Sequence, residues 1–255
     1  MGEYYRGWRD ALRVPCTICA ARGLPHCEVL GDIETQPEER AFELAFARTG
    51  KRVVVDTSKD LDWVRLFSAE EDLDIRIVHL VRDPRGFVAS VRRRGPVGID
   101  GLIDEWRKEN EGLRHFVVAS GLKSITANYD GLAQLPETEF PRLFEFCGME
   151  FTKENLSYWN IEHHGFAANG ASDALLKGNR YGHVPGHFRT ADAEFYAQKS
   201  QTLFHDLRWR TAITADESAA IEKKPEVRGL LRSLGFAFTE EGMKTLPGAD
   251  FSADT

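Results

Sequence analysis

RVVVDTSKDLDWVRLFSAEEDLDIRIVHLVRDPRGFVASVRRR, residues 52–94, decides the fold. Its order is strand, polar turn, helix, strand, basic turn, helix. The β-branched run 53–55 stops at Asp56-Thr57-Ser58-Lys59, the pattern of a buried parallel strand whose carboxyl end opens on a crevice. A second run, 75–81, ends at Arg82-Asp83-Pro84-Arg85, and Leu61, Val64, Arg65 and Phe67 fall at roughly helical spacing between the two. One βαβ unit is the economical reading, which predicts an α/β protein with a parallel sheet flanked by helices. Two polar strand ends are then expected side by side, where open α/β sheets bind ligands.

The chemistry of those ends suits an anion. Pro84 pre-sets the first turn of a helix that Phe87, Val88 and Val91 anchor, so free backbone N–H groups and a positive dipole end are expected beside Arg82 and Arg85. Ser90, about two turns along, adds a hydroxyl donor, and Arg82 offers a planar fork that a lysine lacks. The competing reading makes Arg82, Asp83 and Arg85 a surface ion-pair cluster only.

VVVDTSK followed by IVHLVRDPRGFVASVRRR resembles the core of the P-loop-type sulfotransferases, which use 3′-phosphoadenosine 5′-phosphosulfate (PAPS). Weaker likenesses follow in order: NYDGLAQLP at 128–136, LFEFCGM at 143–149, LLKGNRYG at 175–182 and DLRWRTAI at 206–213. The resemblance implies a P-loop NTPase-like sulfotransferase fold and a sulfuryl transfer to a hydroxyl or amine. It implies that Arg82 and Ser90 hold the donor's 3′-phosphate, that Lys59 lines the transfer site, and that Asn179 and Arg180, with Lys177, contact the nucleotide. Glu3 matches a Gly-Glu position that carries the general base in several carbohydrate-type members, with Asp56 in reserve. The family's Gly-rich loop for the 5′-phosphosulfate, and the strand before it, are absent from the 255 residues. Met1 is therefore expected to be an internal position of a longer gene or the start of a decayed one. The alternative is a truncated, non-catalytic remnant that only binds the 3′-phosphate nucleotide.

Sulfuryl transfer resembles phosphoryl transfer in depending on positioning and charge stabilisation, so a cation such as Lys59 belongs beside the leaving oxygen and no metal is required. The acceptor, a small molecule or carbohydrate, must lose a proton to a base.

The chain is large enough for one good core, and 42% hydrophobic with 29% charged residues is ordinary globular composition. A net charge of −7 argues against a broad nucleic-acid surface. No 18-residue apolar run occurs, so no membrane span is expected and the cytoplasm is the expected compartment. A single domain over 1–255 is anticipated, with a loop-rich lead-in at 1–35, the α/β core at 52–130, a lid loop or poorly ordered surface at 150–190 and a disordered acidic tail at 240–255. Helices are read at 37–49, 99–120, 141–147, 195–213 and 221–234, the last closed by Gly235, and a third strand at 123–129. Cys16, Cys19 and Cys27 with His26 form C-x2-C-x6-H-C, which suits a tetrahedral metal or, as the preferred reading, ordinary reduced thiols. The adjacent His163 and His164 are given no catalytic role.

Overall fold

A computed structural model describes residues 19, 22–31, 36, 40–57, 59–93, 95, 97–161, 164, 195, 196, 198, 199 and 201–249. They belong to two compact units: Met1–Glu70 with Glu154–Leu203, and Glu71–Lys153 with Phe204–Thr255.

In the first unit, helix α1 spans Ala41–Thr49 and α2 spans Leu61–Phe67. Asp60 starts α2 by accepting from the backbone N–H groups of Asp62 and Trp63, which leaves fewer orphan donors in the first turn. Phe42 of α1 meets Phe67 of α2 edge-on at 4.6 Å, and Trp63 meets Phe67 at the same separation, so the two helices close around an aromatic cluster. Two short 3-10 turns follow at Lys153–Leu156 and Tyr158–Asn160.

The run 53–55 does not form the expected strand. Its backbone pairs with no strand among the described residues, and Val53, Val54 and Val55 are 36%, 37% and 72% exposed. β-branched composition favours extended backbone, but a strand exists only where a partner edge takes its N–H and C=O groups.

The second unit opens with β1, Arg76–Val81, followed by α3, Pro84–Arg92, and α4, Ile99–Ser120. β2, Lys123–Asn128, then pairs with β1 in parallel, from Arg76 opposite Lys123 to Val81 opposite Asn128. The strand end beside Arg82 in this sheet is Asn128-Tyr129. One face of β1 carries the buried His79 and Val81, while Val78 and Leu80 on the other stay 39% and 53% exposed.

α4 packs on α3 through Leu102, Ile103 and Trp106, the stripe that its 3.6-residue periodicity predicts. A chain of hydrogen bonds locks it to the strand: His79 Nε2 lies 2.9 Å from Asn110 Oδ1, Asn110 donates to the Trp106 carbonyl at 2.7 Å, and Trp106 Nε1 donates to the Arg82 carbonyl at 3.0 Å. The end of β1 is thus held rigidly where its next side chains act.

α5 (Tyr129–Gln134) and α6 (Pro136–Phe146) follow β2, and the chain closes through α7 (Trp209–Ala212), α8 (Ala215–Lys223) and α9 (Pro225–Ser233). The single helix expected over 195–213 is not formed: residues 203–207 are irregular, and only Trp209–Ala212 is helical after them. Thr214 and Glu217 form a reciprocal capping box that fixes the start of α8.

Part of the acidic tail expected over 240–255 is instead half of a hairpin, at Gly242–Thr245, and residues 250–255 lie outside the described residues. β3 (Phe236–Thr239) and β4 (Gly242–Thr245) pair antiparallel, with Phe236 fully buried and Met243 2% exposed in the same core as Val88, Trp106, Trp209, Ile221 and Leu231. Gly242 is required in the turn, with φ at 131°, and a side chain there would overlap the Asp130 carboxylate.

Candidate anion-binding site

Asp83 and Pro84 build the local frame. Pro84 occupies the first position of α3, and Asp83 caps the helix by accepting the Arg85 N–H at 2.7 Å, so the chain turns sharply as it leaves β1. Arg82 precedes the cap and stays at the strand end; Arg85 lies inside the first turn. Three residues apart, they point into different environments.

Arg85 is 2% exposed and belongs to the core. It gives Nε and Nη2 to the two Asp83 oxygens at 3.0 and 2.6 Å, Nη1 to Glu222 at 2.6 Å, and Nη2 again to the carbonyls of Thr239 and Gly242 at 2.9 and 2.8 Å. Its guanidinium stacks on Trp209 at 4.1 Å and Phe238 at 4.9 Å. The expectation that Arg85 flanks a bound anion is therefore corrected, since these protein groups already occupy its donors. Neither is the RDPR turn a surface ion-pair cluster, because Asp83 is 1% exposed.

Arg82 is different. Its side chain is 32% exposed, and of a guanidinium's five donors only one, on Nη2, is engaged among the described residues, by Asp206 at 3.3 Å. The guanidinium rests over the Tyr129 ring at 5.2 Å, which supports a cation without consuming a donor. Asp206 itself is gripped more closely by Arg208, through Nε and Nη2 at 2.8 Å each. Burial pushes the Asp206 carboxyl up, but the hydrogen bonds and charge of Arg208, with Arg82 adding, outweigh it and hold it below its ordinary range. Burial pushes the Tyr129 phenol up, so the ring under Arg82 stays neutral.

The position of Ser90 follows from Gly86. A Cβ at Gly86 would stand 3.2 Å from Arg82 Nε, so the Arg82 side chain lies across the first turn of α3. Ser90 is four residues beyond Gly86 and occupies the same helix face one turn further on. Half-buried, the Ser90 hydroxyl accepts from Arg93 Nη2 at 3.4 Å and keeps its own O–H to donate. Arg82 stands beside the helix N-terminus with its positive dipole, and Ser90 and Arg93 add a hydroxyl and a basic donor towards the other end of the helix.

Tyr129, Asp206, Arg208 and Arg93 escaped the sequence reading as site residues. The first three lie in the 128–136 and 206–213 segments, which the sequence comparison quoted without giving any residue a role. Beside them, His205 Nε2 meets the buried Asp130 at 2.6 Å, and the second Asp130 oxygen has no hydrogen-bond partner among the described residues. A groove of about 290 Å³ lined by Glu222, Arg228, Leu231, Arg232 and Phe238 shares none of the Arg82 group.

The remaining sequence candidates belong to the first unit. Lys59, in the first unit, is exposed with φ at 64°, a left-handed backbone that a lysine adopts only at a cost. Asp56 is exposed. Glu3, Lys177, Asn179 and Arg180 lie outside the described residues.

The geometry thus places a guanidinium at the carboxyl end of a parallel strand and a hydroxyl on the helix that follows, donors whose chemistry suits an anionic group. No protein-family model matches the chain, and no curated protein does. A solved structure described as a sulfotransferase domain from the curacin biosynthetic pathway is similar with a TM-score of 0.48 and 15% identity, covering 79% of this chain and 69% of that one. No helix among the described residues is long and apolar enough to cross a membrane.

Proposed function

We propose that this chain is a sulfotransferase that takes its sulfuryl group from 3′-phosphoadenosine 5′-phosphosulfate, with Arg82 and Ser90 gripping the 3′-phosphate. The observation that supports this reading most directly is the shared face: Arg82 crosses Gly86 with four of its five donors unused among the described residues, and Ser90 follows one turn later. A doubly charged phosphoryl group suits that pair, because a guanidinium fork and an O–H can both donate to one cluster of oxygens. Asp206 balances the Arg82 charge, and its stronger bond to Arg208 leaves it anchored when an anion arrives.

In this proposal the Lys59 ammonium stabilises charge growing on the leaving nucleotide, Glu3 is the base, Asn179 and Arg180 contact the nucleotide, and the acceptor is a small-molecule or carbohydrate hydroxyl or amine.

Calorimetric titration with adenosine 3′,5′-bisphosphate tests the grip. Arg82→Ala is expected to weaken binding by about 2 kcal/mol, roughly 30-fold, because a charge-assisted contact is lost. Unchanged affinity removes Arg82 from the site. Binding without any transfer of labelled sulfate to a panel of hydroxyl and amine acceptors would favour the binding-only reading instead.

Lys59 supplies a second measurement. Lys59→Gly is expected to raise thermal stability by about 1 kcal/mol, since glycine takes the left-handed backbone without strain, while abolishing transfer. Full transfer by this variant would exclude the ammonium from the chemistry.

A further inference from the structure

Three side chains of the first unit converge from distant parts of the chain. Cys19 and Cys27 are 0% and 5% exposed, and both Sγ atoms lie 3.5 Å from Nδ1 of His164, 145 and 137 residues away in sequence. The three ligand atoms lie within 4.8 Å of one another. Neither cysteine is in a disulfide.

We infer that Cys19, Cys27 and His164 bind a zinc ion. The first argument is metric. Zinc takes sulfur at about 2.3 Å and imidazole nitrogen at about 2.0–2.1 Å, and a tetrahedral angle then sets the S···N edge near 3.6 Å. Both observed edges are 3.5 Å. The second is valence. A ring nitrogen has one in-plane lone pair and cannot accept fully from two thiols, whereas a cation between the three atoms uses that lone pair and both sulfurs.

The surroundings suit a metal knuckle. The backbone N–H of Glu28 donates to Cys19 Sγ at 3.4 Å and that of Leu30 to Cys27 Sγ at 3.3 Å, contacts of the kind that orient a metal-bound sulfur. Tight turns present each cysteine: the N–H groups of Arg22 and Leu24 bond to the Cys19 carbonyl, and that of Gly31 to the Cys27 carbonyl at 2.6 Å. The outer ring nitrogen of His164 faces the Glu28 carboxylate at 3.9 Å, the side on which zinc-bound histidines commonly keep a carboxylate. Two thiolates and one imidazole select a borderline-soft, tetrahedral ion over magnesium or calcium.

The histidine of the cluster is His164 and not His26, which sits exposed beside Cys27. Cys16, at the C-x2-C spacing from Cys19, lies outside the described residues. The ion is structural: it ties Cys19 and Cys27 to His164, and the proposed sulfuryl transfer does not use it.

The test is zinc content of the full chain purified under reducing conditions and dialysed free of loose metal, measured by plasma mass spectrometry. About one zinc per chain is expected, and cobalt substitution should give the ligand-field and thiolate charge-transfer bands of a tetrahedral thiolate site. His164→Ala and Cys27→Ser should each lose most of the metal, whereas His26→Ala and Cys147→Ser keep it. A folded chain that neither carries zinc nor takes it from a zinc indicator overturns the inference. So does full retention, with an unchanged cobalt spectrum, in His164→Ala, or a Cys19–Cys27 disulfide as the native state.

Discussion

Replacing Arg85 with alanine is expected to lower the unfolding free energy by about 3–5 kcal/mol, because it strands the Asp83 carboxylate in the core without its partner. The lost contacts reach across the second unit: Asp83 at the start of α3, Glu222 on α8, and the Thr239 and Gly242 carbonyls of the hairpin. Two backbone acceptors would be left buried and less satisfied, and Trp209 and Phe238 would lose the cation between them. Arg82→Ala, three positions earlier, should cost less than about 1 kcal/mol, since its ion pair with Asp206 is partly exposed on the arginine side. Chemical denaturation of the two variants makes the comparison. Equal losses would mean that the two arginines do not divide structure and binding between them, and an Arg85 loss below about 1 kcal/mol would show the buried network to be dispensable.

A chain ended after Gly235 should fail to fold its second unit cooperatively. Phe236 and Met243 are almost completely buried in the core, and removing a large apolar side chain from such a place costs about 2–5 kcal/mol. The truncation removes both, along with the ring of Phe238 and two of the Arg85 acceptors, a loss comparable with the roughly 5–15 kcal/mol that holds a whole domain. Near-ultraviolet circular dichroism during thermal melting reads the result. A cooperative transition near that of the full chain would return residues 236–255 to the status of an appendage.

Where local rules decide, the sequence was legible. Pro84 after a capping aspartate set the start of α3, and the Leu102, Ile103, Trp106 stripe set the buried face of α4. The spacing of Arg82 and Ser90 was legible for the same reason, since a strand end and one helix fix it. Tyr129 and Asp206 come to Arg82 through strand pairing and long-range packing, which no local window contains. Arg85 was misplaced because the RDPR turn looks symmetrical in sequence, whereas one arginine precedes the cap and the other enters the helix. Val53, Val54 and Val55 have strand composition, but β preference expresses itself only against a partner. The Glu240-Glu241 pair read as a tail, although FAFT and GMKT on either side alternate as hairpin strands do. His26 entered the C-x2-C-x6-H-C pattern because it adjoins Cys27, whereas the histidine in contact with the Cys27 sulfur lies 137 residues away.

The dependence of the RDPR turn on the hairpin carbonyls bears on how the protein is made. A ribosome releases Asp83 and Arg85 long before Thr239 and Gly242 exist. Until the hairpin emerges, that arginine lacks two of its acceptors. The second unit therefore completes its fold only once the hairpin has been synthesised, and chains that stop before residue 236 should be degraded rather than partly active.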